Sequence, residues 1–219
     1  VLQYFERIQK SFPSMRNFFC RERGDLVLEE DRELGSYRWA AVETRRICSG
    51  YVNPESVAAA LDQHRLVLEL APYMLAASPL DCEALDMIYG FDYTYRGNHN
   101  QVVAEALGIS PALERLLEVP GVTAVTGFEP SLTFAMDDDY RLQCRVSIET
   151  RTNFFQARGG EFPEEQLSVY VTARRYGSLP AGKGFVEVFN RLVDTCQNIL
   201  DNFVVENVLR PLHRTIALK

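Results

Sequence analysis

Three arginines fall on one side of a single alternating stretch. Across residues 141–155, Arg141, Gln143, Arg145, Ser147, Glu149, Arg151 and Asn153 alternate with Leu142, Cys144, Val146, Ile148, Thr150, Thr152 and Phe154. That is the period of a strand with one polar and one apolar face. Guanidinium forks match the geometry of carboxylates and phosphates. Arg145, Glu149 and Arg151, joined by Tyr170 and Arg174 of the next alternating run, predict a sheet face that can hold an anionic small molecule. The same spacing suits a solvated face on which Arg and Glu pair across strands, worth roughly tenths of a kcal/mol per pair. What separates the two is whether anything covers or engages the arginines.

The densest cluster of chemically capable side chains is GFDYTYRGNHN, residues 90–100. Asp92 and His99 are an acid and a base, Tyr93 and Tyr95 are donors, and Arg96 is an anion clamp. On an enzymatic reading His99 is the general base, Asp92 orients it, and Arg96 or Arg145 holds a small anionic substrate. On an architectural reading the same residues form a strand–turn–helix corner, with Gly97 in the turn and Asn98 as helix cap. Catalysis requires these groups within hydrogen-bond reach of one pocket; a corner does not.

Composition narrows the chemistry further. The 219 residues carry 23 Lys+Arg against 30 Asp+Glu, a formal net charge of −7. Phosphate backbones are poor partners for such a chain, and nucleic-acid binding is not expected. Cys20, Cys48, Cys82, Cys144 and Cys196 are scattered, with no Cys-x-x-Cys and no Cys/His pair at metal spacing. They predict reduced thiols, a cytoplasmic setting and no metal site. Cys144 and Cys196 fall on apolar faces and read as core thiols. His64 and His213 lie in helical stretches with no ligand at i+4. Asp137, Asp138 and Asp139 lack the glycine and distal glutamate of a calcium loop and read as a hairpin turn. No GxSxG, Walker A, GxGxxG or HExxH is present, and no cofactor is expected. The Arg-Gly-Asp tripeptide beginning at Arg23 reads as coincidence. The opening VLQYFERIQKSFP has charges where a signal peptide needs its apolar centre. The most apolar window, from Leu66, contains Glu69 and Pro72 and is too short to span a bilayer. The first residue is Val1 rather than Met, which leaves room for an upstream region.

These side chains need a scaffold. Leu2, Phe5, Ile8 and Gln9 space an amphipathic first helix, broken near Pro13 and resumed to Arg23. Residues 26–30 and 36–47 read as two strands about a turn at Leu34 and Gly35, although AAVETRRI also suits a helix. Asn53-Pro54, Ser78-Pro79 and Ser110-Pro111 each place an N-cap before a proline, predicting three helices. The second would run through Leu80, Ala84, Leu85 and Ile88 and end at Gly90. Residues 91–96 follow as a short strand, and Asn98 caps a helix through Val102, Val103 and Leu107. From Val122 the pattern turns β, with Leu132, Phe134 and Met136 alternating ahead of the strands at 141–155 and 167–174, an antiparallel meander. Phe185, Val188, Phe189, Leu192, Cys196, Ile199, Leu200 and Phe203 then form a wide helical stripe. At 1.5 Å per residue it spans roughly 37 Å, and Pro211 should end it. Glu-Thr-Arg recurs at residues 43–45 and 149–151, too short a match to establish a duplicated unit.

The expected fold is α+β: an antiparallel β-meander sheet covered by a long C-terminal helix, with a helical middle section. A single domain over residues 1–219 is expected, weakly subdivided near residues 119–122. The expected function is a non-enzymatic module that binds an anionic small molecule or a protein partner. The alternatives are an enzyme on a small anionic substrate with His99 as general base, and a structural homo-oligomer. The oligomer would join through exposed apolar residues such as Trp39, Phe18 and Phe19. No membrane partner is expected.

Overall fold

The computed structural model describes residues 1–22, 24–123 and 125–219; Arg23, the first residue of the Arg-Gly-Asp tripeptide, lies outside the described residues. The chain is α+β with two four-stranded antiparallel sheets. It divides into two compact units, residues 1–83 with 177–189 and residues 84–176 with 190–219.

In the first unit, α1 (Leu2–Ser11) precedes four strands in sequential order: β1 (Asn17–Cys20), β2 (Leu26–Glu29), β3 (Tyr37–Val42) and β4 (Ile47–Val52). α2 (Val57–Met74) follows. α1 contributes Tyr4, Phe5 and Ile8 to a core shared with Met15, Leu28, Ala40 and Val67. The first helix does not resume after Pro13. Asn17–Cys20 pairs with β2 instead, because adjacent aromatics suit a pleated ladder better than a helix. Asn53 does not cap α2 either. It takes a positive φ of 45° and donates its amide to Gly35 O at 2.8 Å, a conformation asparagine tolerates. Ser56 is the cap, accepting from Ala59 N–H at 3.1 Å.

Two polar arrangements hold this unit together. Fully buried Gln63 donates to the carbonyls of Trp39 and Gly50, cross-strand partners, at 2.9 and 3.2 Å. The indole of Trp39 lies across Gly50, where a Cβ would collide with the ring. Trp39 is thus half-buried against its neighbour strand rather than an exposed interface residue. Nearby, Arg38 reaches Glu30 Oε1 at 3.1 Å, with side chains only 14% and 9% exposed. Its guanidinium sits 4.1 Å from the Tyr51 ring centre and 5.2 Å from that of Phe12. Burial pushes the Glu30 carboxyl up, but bonds from Ser14, the Arg38 N–H and the Arg38 guanidinium outweigh it and hold it below its usual range.

The second unit contains β5 (Ala84–Arg96), α3 (His99–Leu107), the one-turn α4 (Pro111–Glu114), β6 (Ser131–Ala135), β7 (Leu142–Glu149), α5 (Phe154–Gly159) and β8 (Glu164–Tyr176). α6 (Phe185–Ile199), whose residues 185–189 belong to the first unit, then runs through a π-helical segment, Leu200–Leu209, into α7 (Arg210–Ala217). The strand order β5-β8-β7-β6 contains the expected meander, with β5 added beside β8. Cys144, Leu167, Val169, Val171 and Ala173 are fully buried on one sheet face. The long helix packs there, with Cys196 Sγ 3.7 Å from Met87 O and 3.9 Å from Val171 O. Burial pushes the Cys144 thiol up to about 11 and the Cys196 thiol up to about 12, which makes them inert core groups.

Several local expectations fail for identifiable reasons. Ser78-Pro79 forms a turn, and residues 84–96 are one thirteen-residue strand paired along its length with β8. Long-range pairing overrides the helical spacing of Leu80, Ala84, Leu85 and Ile88. Gly90 is accordingly mid-strand beneath its cross-strand partner Tyr170, whose ring would stand 3.1 Å from a Cβ. β7 stops at Glu149, because Asn153 and Gln156 form a reciprocal capping box that starts α5. Pro211 does not end the helix; it occupies the first turn of α7, where its missing N–H is harmless. Phe203 leaves the buried stripe and is 62% exposed, since the π-helical segment shifts the phase of the helical repeat. Among the described residues, no helix is long and apolar enough to cross a membrane.

A candidate anion-binding groove on the second sheet

The polar face forms as a grid of register pairs. Across β7 and β8, Arg145 faces Thr172, Ser147 faces Tyr170 and Glu149 faces Ser168. Two of its side chains, Arg174 and Ser168, are already committed to carboxylates of β5. Arg174 makes a two-pronged bond to Asp86, its cross-strand partner, with Nε–Oδ1 at 2.6 Å. That bond, with Tyr176 beside it, holds the guanidinium above its usual range. Asp92 accepts from Ser168 Oγ at 2.6 Å.

Toward β6 the face opens into a groove of about 330 Å³, lined in part by Glu129, Ser131, Arg145, Ser147, Glu149 and Arg151. A second groove of about 450 Å³, with Asn100, Phe128, Thr150 and Thr152 in its wall, shares Glu129 and Arg151 with the first. Arg145 donates from Nε to Ser131 Oγ at 3.0 Å and forms no ion pair among the described residues. Arg151 reaches Glu149 Oε2 at 3.3 Å. Burial pulls its guanidinium down, but Glu149 and the adjacent Tyr170 leave it raised overall.

The wall between the grooves is set by a buried clasp at the start of α3. Asn98 caps that helix, accepting from Gln101 N–H at 3.2 Å. His99 and Asn100 are thereby turned inward and are 1% and 0% exposed. His99 Nδ1 accepts from Arg151 N–H at 3.2 Å, so the ring proton belongs on Nε2, which lies 3.3 Å from Tyr95 O. The His99 backbone N–H donates to Thr152 Oγ1 at 2.9 Å. Asn100 Oδ1 accepts from Phe128 N–H at 2.9 Å and from Thr150 Oγ1 at 3.0 Å. Its Nδ2 donates to Thr126 O and Thr152 O at 3.3 and 3.4 Å. Glu129 Oε1 completes the clasp, taking the Thr150 N–H at 2.9 Å.

The candidate residues therefore separate into groups. Arg145, Glu149 and Arg151 share one groove, with Tyr170 against Arg151. Arg174 is tied to Asp86 instead. Tyr93 donates to Leu209 O at 3.0 Å, and burial raises its phenol. Arg96 is exposed at the strand end opposite Glu164. His99 touches Arg151 through the backbone, and its ring nitrogens meet neither Asp92 nor Arg96. Glu129, Ser131, Asn100 and Thr150 were not anticipated. Glu129 precedes Pro130 outside any periodic run, and nothing in the sequence marks Asn100 as a buried amide. Among the described residues, no three His, Cys, Asp or Glu side chains are grouped to hold a metal. No family model, curated protein or solved structure matches the chain, so the groove's own chemistry is the guide to its use.

Proposed function

We propose that the second unit is a binding module for a small anionic group, a carboxylate or a phosphate, seated in the groove between Arg145 and Arg151. The observation that carries this reading is the bond from Arg145 Nε to Ser131 Oγ. A neutral acceptor fixes the guanidinium without neutralising it, leaving both terminal nitrogens for a bidentate anion. Arg151 supplies a second cation, shared with Glu149. Binding is favoured over acid–base chemistry because both ring nitrogens of His99 are taken up by backbone groups, whereas a general base needs a nitrogen facing its substrate.

Titration of isotope-labelled protein with inorganic phosphate and with succinate, following the arginine Nε–H signals, tests the reading. Arg145 and Arg151 should shift in a saturable manner. The variant carrying Arg145→Ala and Arg151→Ala should bind at least about tenfold more weakly, as expected for lost charge-assisted bonds. Unchanged signals, or equal binding by that variant, would refute it.

A further inference from the structure

The groove lies beside an open sheet edge. β6 is the terminal strand of its sheet. Ile148 N–H donates to Pro130 O at 3.1 Å, and Met136 N–H donates to Leu142 O at 2.7 Å. An antiparallel ladder alternates bonded pairs with pairs whose N–H and C=O groups point away. Residues 130, 132, 134 and 136 are thus bonded to β7, while Ser131, Thr133 and Ala135 turn their backbone groups outward. The strand Ser-Leu-Thr-Phe-Ala has no charge and no proline, the usual devices that blunt an edge. The opposite edge, β5, carries Asp86, Asp92 and Arg96.

The two faces of β6 differ in chemistry. On the polar face Arg145 stands opposite Thr133, and its bond to Ser131 shows the guanidinium reaching over the edge strand. On the other face Leu132 is 66% exposed. A strand added here would meet a cation on one side and an uncovered leucine on the other.

From this geometry we infer that β6 takes up an extended peptide as a fifth strand, one that alternates acidic and apolar side chains. Its backbone bonds to Ser131, Thr133 and Ala135. Its carboxylates fall on the Arg145 face, and its apolar side chains cover Leu132. The inference rests on the anion-binding reading and names the anion as a glutamate or aspartate side chain. A second copy of the chain is a poor occupant, since edge-to-edge pairing would set two Arg145 guanidinia on one face as like charges.

The test uses the full chain and a fluorescein-labelled peptide of alternating Val and Glu, with a Val and Lys peptide as control. The acidic peptide should bind, the basic one at least about tenfold more weakly, and the Thr133 and Ala135 amides should gain protection from exchange. Thr133→Pro removes an outward N–H and no β6–β7 bond. It should abolish peptide binding while phosphate binding persists. Should that variant fail to fold, the amide protection in the unmodified chain decides the matter alone. Peptide binding without protection at Thr133 and Ala135, or unaffected by Thr133→Pro, overturns the strand-addition inference and leaves the anion reading standing. Phosphate binding with no peptide binding does the same. Failure of both ligands removes both readings, and sedimentation showing self-association through β6 assigns the edge to a second copy.

Discussion

Arg151 donates its backbone N–H to Nδ1 of His99 at 3.2 Å, tying the buried start of α3 to the residue whose side chain lines both grooves. With Nδ1 as acceptor, the ring proton is directed at Tyr95 O, and the imidazole spans two backbone segments. The histidine that drew attention as a base is placed to act as a positioning residue for a cation.

Replacing His99 with Ala should therefore loosen residues 150–152 without removing any ligand contact. Losing both bonds leaves the Arg151 N–H without its partner, at a cost of about 1–3 kcal/mol. A lowered Tm, faster exchange of the Arg151 amide and several-fold weaker phosphate binding are expected. A purely local role would leave the phosphate affinity unmoved.

Asn100→Asp tests the clasp more severely. The substitution keeps the size but turns two donors facing Thr126 O and Thr152 O into acceptors, in a fully buried position. Like-signed partial charges then face each other out of water, and a loss of about 3 kcal/mol or more is expected. Urea unfolding measures it, and an unchanged midpoint would show that the clasp contributes little.

The sheet that carries the groove was legible because the cause is local. Leu167, Val169, Val171 and Ala173 alternate, all four are buried, and a two-residue period on a one-sided sheet has one solution. The turn into α3 was legible for the same reason, through Gly97 and Asn98. The first half of β5 was misread because its inward residues Leu85 and Met87 become a face only once Arg175 and Ala173 of β8 pair with them, whereas residues 91–96 were legible as a strand from their own alternation. The groove was half-legible: alternation placed Arg145 and Arg151 on one face, whereas Ser131 enters through the ladder with β7 and Glu129 through its bond from the Thr150 N–H. The ion pair of Glu30 and Arg38 left no periodic trace, since neighbouring strands create it.

That pair supports a prediction in the first unit. Removing one partner of a buried ion pair strands the other charge and costs about 3–5 kcal/mol. Arg38 is held by Glu30, by the rings of Tyr51 and Phe12, and by the exposed Glu55 at 3.6 Å, which is too solvated to replace Glu30. Glu30→Ala should therefore be strongly destabilising, and Glu30→Leu combined with Arg38→Met should recover much of the loss, because neither charge is then left buried. Thermal unfolding of the single and double variants, analysed as a cycle, decides whether the two residues are coupled.

His64 should shape the acid limb of stability. Its Nδ1 lies 2.7 Å from Ser49 Oγ and its ring packs edge-on against Phe189 at 6.0 Å. Burial lowers its pKa from 6.5 to about 4. An unfolded chain takes up the proton near the ordinary histidine value, while the folded chain refuses it until about pH 4. Stability from the neutral imidazole is thus fully present above pH 6.5, drains as the pH falls toward 4 and is gone below that, for an upper limit of about 3 kcal/mol. Glu30, held below its usual range, releases its own share only at lower pH. The difference in unfolding free energy between the native chain and His64→Gln, followed from pH 7.5 to about pH 4, should change steadily across that window. Ser49→Ala should leave the slope nearly intact, because burial rather than the hydroxyl causes the shift. A flat difference for His64→Gln would mean the imidazole charges in the folded state without penalty, and the packing around it would have to admit water.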